Sequence, residues 1–257
     1  MKSKIILSAV MAAIVLLGCG RDSGASNSDK GFELSNYPVT PNLSQELKNS
    51  LAYMGNEERL AYDVYLNLYN YHSKNSNIEI KQLYNIATNS ESRHISIVQD
   101  IVKRYNLNVS DLSNVDETIV SKNNMSSENM PSGVYDIQKI QELYDTLYAK
   151  GTVSQQDALE VGCMVEVTDV DDLDKYITKA DNANAIDIVA AFKVLRSGSY
   201  NHYWAFDKGL KNIGVANGCC SLGDTYCHSE YPQNKQGSQE GKRHNGNGNG
   251  NRNRNGS

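Results

Sequence analysis

Glu91 and His94 stand three residues apart, and Ala87, Val98, Ile101 and Tyr105 continue the same steps of three and four on either side of them. On an α-helix those steps fall on one face, so the apolar members aim the carboxylate and the imidazole into a core. An unpaired carboxylate buried there costs on the order of several kcal/mol, and Glu91 therefore requires a cation, a metal or a hydrogen-bonded partner. A single Glu-x-x-His pair is a weak signal, because surface helices are rich in both residues. The same kind of interruption recurs along the chain. Glu58 breaks the stripe Leu47, Leu51, Met54, Ala61, Tyr65, Leu68; Glu166 and Asp169 break Leu159, Gly162, Leu173; His202 breaks Ile188, Phe192, Leu195, Ser199, Phe206. Taken singly, a glutamate on such a seam snorkels or meets an arginine, and a histidine is a hydrogen-bonded core residue. Taken together, they are the donor set of a carboxylate-bridged dinuclear site, in which inward carboxylates and Glu-x-x-His pairs converge from the helices of a bundle. Ser199 occupies the position where a second Glu-x-x-His pair would carry its carboxylate. Glu57 falls to one side of its seam, and Asp171, Asp172 and Asp174 read as a solvated helix end.

The elements that must position these groups are helices. The spacing predicts a first helix from about Ser44, a natural N-cap, to Tyr71, and a second from Ile80 to Tyr105. The polar segment Asn108 to Ser132 reads as a crossover, followed by an accessory helix over Ile137, Ile140, Leu143, Tyr144 and Leu147 that ends at Gly151 as its C-cap. A third long helix starts after Ser154 and runs to about Tyr176, and a fourth covers Ala185 to Asn212. The expected architecture is all-α, a four-helix bundle with one long crossover that contains an accessory helix.

The ends of the chain read differently. Lys2 and Lys4 precede an apolar run from Ile5 to Leu17, and Leu16-Leu17-Gly18-Cys19 has the form of a lipobox. Residues 1–18 are expected to be a lipoprotein signal peptide and Cys19 the lipidated N-terminus, which places the protein outside the cytoplasm and anchored in a membrane. Residues 19–42 are expected to be a flexible tether and 232–257, rich in Gly, Asn and Arg, a disordered tail, leaving 43–231 as the folded domain. A net charge of −5 and the absence of a nucleic-acid-binding motif give no reason to expect a nucleic-acid partner. Of five cysteines, Cys19 would carry the lipid. In an oxidising compartment, Cys227 is expected to bridge to Cys219 or Cys220, leaving the connectivity open; the rival is a metal site of Cys219, Cys220, Cys227 and His228, whose adjacent cysteines lack the usual paired spacing.

Several local matches extend beyond these groups. Glu58-Arg59-Leu60-Ala61-Tyr62-Asp63-Val64-Tyr65 is similar to the first helix of rubrerythrins, and Ile86-Ala87, Ser90-Glu91 and His94 to their second. With Glu57-Glu58, Asn85-Ile86-Ala87, Arg93-His94, Leu143-Tyr144, Val161-Gly162, Glu166, Asp169, Asp172-Leu173, Gly198-Ser199 and Asn201-His202, the stretch from about Leu43 to Leu210 resembles the ferritin-like family catalogued as domain of unknown function 2202. The resemblance implies that Glu58, Glu91, His94, Glu166 and His202 are metal ligands. Ser199 departs from that pattern: either Asp169 replaces the missing carboxylate from the adjacent helix, or the second metal binds weakly or not at all; Tyr62 and Tyr65 either support the ligands, act as redox-active rings or pack in the core. Mixed oxygen and imidazole donors suit a di-iron centre, with manganese or zinc as other occupants.

The expected function is that of a membrane-anchored, metal-binding ferritin-like protein, an oxidoreductase of the ferroxidase or peroxidase type or an iron-handling protein. The alternative is a non-catalytic surface lipoprotein that sequesters metal or acts as a scaffold. A glycosidase-like use of paired carboxylates fits poorly, since these would lie between packed helices rather than in a cleft. The chain carries no rubredoxin-type pair of Cys-x-x-Cys, so redox turnover would draw on an external electron donor, and a homodimer is compatible with this fold.

Overall fold

The computed structural model describes residues 31–108 and 126–233. The expected signal peptide, Cys19 as the expected lipid site, the first half of the expected tether, the middle of the crossover and the tail from residue 234 onward lie outside those residues. Among the described residues the chain is all-helical. Helix α1 spans Gln45–Ser76; α2, Lys81–Ile86, runs through a π-helical turn, Ala87–Glu91, into α3, Ser92–Arg104; α4 is Gln138–Gly151, α5 Gln155–Asn182 and α6 Ile186–Asn212. No helix among the described residues is long and apolar enough to cross a membrane.

Capping sets the starts of α1 and α5. The Ser44 hydroxyl accepts from the Leu47 amide at 3.3 Å, and the Ser154 hydroxyl accepts from the Asp157 amide at 3.0 Å while donating to the Asp157 carboxylate at 2.5 Å. Gly151 is not the expected C-cap: it is the last residue of α4, and Thr152 is the cap. Its lack of a side chain has another cause. A Cβ there would lie 2.4 Å from Leu68 Cδ1, so glycine lets α4 close on α1, where the His72 ring also meets the Gly151 carbonyl at 2.8 Å.

The buried apolar side chains form two main clusters, one above the other along the helices. One holds Leu47, Leu51 and Met54 of α1, Ile97, Val98 and Ile101 of α3, Leu173 and Ile177 of α5 and Ile188, Phe192 and Leu195 of α6. The other holds Leu60 to Leu68 of α1, Leu83 to Ala87, Ala158 to Val170 of α5 and Tyr203 to Leu210 of α6, closed by α4. Helices α5 and α6, joined by the short connection 183–185, make the most extensive helix pair.

Polar groups tie the irregular segments to this core. Asp63 accepts from the Gly133 amide at 3.0 Å and the Tyr135 hydroxyl at 3.2 Å, holding the end of the crossover against α1. Residues 31–40, grouped with the tether on composition, lie against α3 and α6: Arg93 donates to the Phe32 carbonyl, Arg104 to those of Leu34 and Tyr37, and Asp187 accepts from Thr40. Cys227 pairs with Cys220, one of the two partners expected, whereas Cys219 pairs with Cys163 of α5, 56 residues away in sequence. Those bridges consume the thiolates that the rival Cys/His metal site would need.

Candidate metal centre

Each long helix changes character between the two apolar clusters. There α1 presents Glu58, the π-helical turn and the start of α3 present Ser90, Glu91 and His94, α5 presents Glu166 and Asp169, and α6 presents Ser199 and His202, each at most 5 % exposed. The π-helical turn Ala87–Glu91 adds a residue to one turn of helix at the point where the adjacent Ser90 and Glu91 are both buried.

Two groups form from these side chains. Ligand atoms of Glu58, Glu91 and His94 lie within 4.8 Å of one another, as do those of Glu91, Glu166 and His202, so Glu91 belongs to both. The His94 ring Nδ1 is 3.0 Å from Glu58 Oε2 and 3.1 Å from Glu91 Oε2. On the other side, His202 Nδ1 is 2.9 Å from Glu91 Oε1 and 3.4 Å from Glu166 Oε2, aligned for a hydrogen bond to neither. His202 Nε2 meets the Ser90 hydroxyl at 2.7 Å, which leaves Nδ1 as the nitrogen that faces the carboxylates. The two imidazoles sit 5.5 Å apart, centroid to centroid.

This layer is rich in carboxylate and buried from solvent. Burial pushes Glu58 up to about 8, against the pull of His94, and raises Glu166 against the pull of His202. For Glu91, burial acts in the same direction but His202 and His94 together outweigh it and hold the carboxyl low. Burial would depress His202, yet Glu166 and Glu91 overcome it and raise the imidazole to about 10. The arrangement is one in which positive charge is drawn into a carboxylate cage, by a proton or by a metal. Glu58 Oε1 and His202 Nδ1 are buried without a hydrogen bond, as donors reserved for a cation would be. Glu58 and His94 could hold one ion and Glu166 and His202 a second, with Glu91 between them, and the oxygen and imidazole donors fit iron, manganese or zinc.

The structure brings Glu58, Glu91, His94, Glu166 and His202 together. Asp169 stands apart from both groups: its Oδ2 accepts from the Ser199 hydroxyl and its Oδ1 has no partner, so the serine ties up the carboxylate expected to replace it. Tyr65 donates to Glu166 Oε1 at 2.5 Å. Tyr62 lies under the Arg59 guanidinium, 5.4 Å from the ring centroid. Two residues escape sequence reasoning. Ser90 does so because it stands one position before Glu91, off the stripe that the three-four spacing marks. Glu57, expected beside the seam, is instead 2 % exposed with neither carboxylate oxygen bonded.

The family model described as an uncharacterized protein domain, DUF2202, matches residues 47–225, which include all of these groups. An uncharacterized protein of Methanocaldococcus jannaschii, MJ0754, is 36% identical over 181 residues, covering 70% of this chain and 83% of its own length. The crystal structure of that protein, titled a hypothetical protein, matches with a TM-score of 0.55 over 69% of this chain and 86% of the other. With the match running from α1 past α6 and including both cysteines of the Cys163–Cys219 bridge, this chain belongs to the uncharacterized domain family DUF2202.

Proposed function

We propose that this protein is a ferritin-like four-helix metalloprotein that holds two ions in the polar layer between its apolar clusters, with iron the metal to which the donors are best suited. The observation that carries the reading is the pair of buried carboxylate and imidazole groups that share Glu91. Bound there, iron would supply redox chemistry toward oxygen, peroxide or ferrous iron. The chain's own part is to hold the donors. Ser90 fixes the orientation of His202, Tyr65 restrains Glu166, and the apolar clusters on either side exclude water. Export and anchoring through a lipid on Cys19 complete the proposal, resting on the order of basic, apolar and lipobox segments in residues 1–19.

One observation favours a second reading, metal holding without turnover. Ser199 withholds a carboxylate and also occupies Asp169, leaving fewer donors for the ion beside His202. Anaerobic titration with ferrous iron followed by oxygen separates the readings: an absorbance change that decays and recurs with each addition indicates turnover, and stable loading indicates storage or structure. In either case Glu58→Ala combined with His94→Ala should remove tight binding of the ion held beside them. Parental affinity in that variant would refute the assignment.

A further inference from the structure

Glu57 is the anomaly of the polar layer. Its carboxylate is buried, both oxygens lack a hydrogen bond, and it adjoins the candidate ligand Glu58 on α1. Such a group is costly unless a cation visits it or a proton stays on it. Its strongest charged influences are acidic, Asp172 and Glu58, and Glu57 in turn acts on Asp169. The cations that act on it, Lys139 and Lys175, are exposed, and Lys175 is bonded to Asp172 at 2.8 Å.

These acids change in exposure from the surface inward. Asp172 is half-buried, its side chain 16% exposed. Asp169, one turn earlier on α5, is buried, with Oδ2 held by Ser199 and Oδ1 unbonded. Glu57 and then Glu58 lie on the packed α1. Since Asp169 belongs to neither ligand group, its unbonded oxygen is left for another role.

We propose that Glu57, with Asp169 and Asp172, forms a transit position for a divalent cation, leading from the surface between α1 and α5 to Glu58. This rests on the two-ion reading above. All-oxygen donors at such a position suit a hard or borderline ion such as ferrous iron or Mn²⁺, bound more weakly than at the centre, where imidazole also contributes. The buried carboxylates face low-dielectric walls, so their attraction for an entering ion is screened little.

The test is the rate of loading. Metal-free full-length protein is mixed anaerobically with Co²⁺ in a stopped-flow instrument, and its ligand-field absorption reports both rate and final stoichiometry. Glu57→Gln keeps the shape and removes the charge. It should load the same final number of tightly bound ions about tenfold or more slowly, the scale of rate enhancement that focused charge provides. Glu57→Asp should recover part of the rate. Asp172→Asn, at the half-buried mouth where folding is not at stake, should slow loading in the same sense. A parent that takes up no Co²⁺ overturns the metal reading and this proposal with it. A parent that binds two ions, with Glu57→Gln and Asp172→Asn loading as fast, overturns the transit position alone and leaves Glu57 as a buried protonated acid.

Discussion

Gly162 offers a direct way to disturb the candidate centre through packing. It lies on α5 one turn before Glu166, and a Cβ added there would sit 2.4 Å from Cγ and Cδ1 and 2.5 Å from Cε1 of Phe206. Phe206 is fully buried, and its ring lies 5.1 Å from that of Tyr65, centroid to centroid. Since ordinary carbon contacts begin near 3.5 Å, the ring must retreat by about 1 Å into a packed core. Overpacking of this kind costs about 1–3 kcal/mol, and a rigid ring struck face-on belongs at the upper end. Replacing a helical glycine by alanine returns about 1 kcal/mol of helix propensity. A net loss of about 2 kcal/mol remains, which for a folded region of this size lowers the melting temperature by about 4–8 °C. The consequence reaches the centre because Tyr65 holds Glu166. Thermal unfolding of Gly162→Ala followed by circular dichroism, with disulfides intact, measures the first effect, and Co²⁺ affinity measures the second. A variant at least as stable as the parent, with unchanged affinity, would refute the claim that glycine is required here for the close approach of α6.

Three further outcomes follow from other parts of the fold. Replacing Cys163 and Cys219 together by alanine removes a link between residues 56 apart, and the chain-entropy model gives a loss of about 4 kcal/mol. Removing Cys220 and Cys227, only 7 apart, should cost about 2.5 kcal/mol on the same model, an ordering that urea unfolding under non-reducing conditions checks. Asp187→Asn should destabilise by about 2 kcal/mol, since a buried charge that accepts hydrogen bonds is lost; Asp187 accepts from Thr40, Tyr105, Arg104 and the Ile188 amide, so limited proteolysis should show residues 31–40 released first. The Lys150 ammonium, with Ser154, holds the Asp157 carboxyl below its usual range. That contribution is therefore present above the unfolded carboxylate value and is lost as pH falls through the lower folded one, and Lys150→Met should flatten the acid limb of the stability profile measured by urea unfolding between neutral and acidic pH.

The helices and most of the candidate ligands were legible because each apolar stripe is long and its exceptions are charged. Leu47 to Leu68 and Ile188 to Phe206 set the helical period over several turns, so Glu58 and His202 stand out against it. Ser44 and Ser154 act as caps through contacts that span three residues, a range that sequence records directly. What escaped depends on neighbours that periodicity does not name. The π-helical turn shifts register within a single turn, and Ser90 and Glu91 are both buried there. Asp169 had the right spacing, but a hydroxyl on the facing helix claims its carboxylate. Gly151 resembled a cap because helix ends favour glycine, when its cause was Leu68 on another helix. Glu57 shows the limit most clearly. A carboxylate one position off a seam is solvated when that flank of the helix is open, and here it is buried together with Asp169 of α5. Side chains at such positions take their role from whichever helix closes over them, so the departures from pattern in this protein gather around the polar layer, where charge and burial conflict.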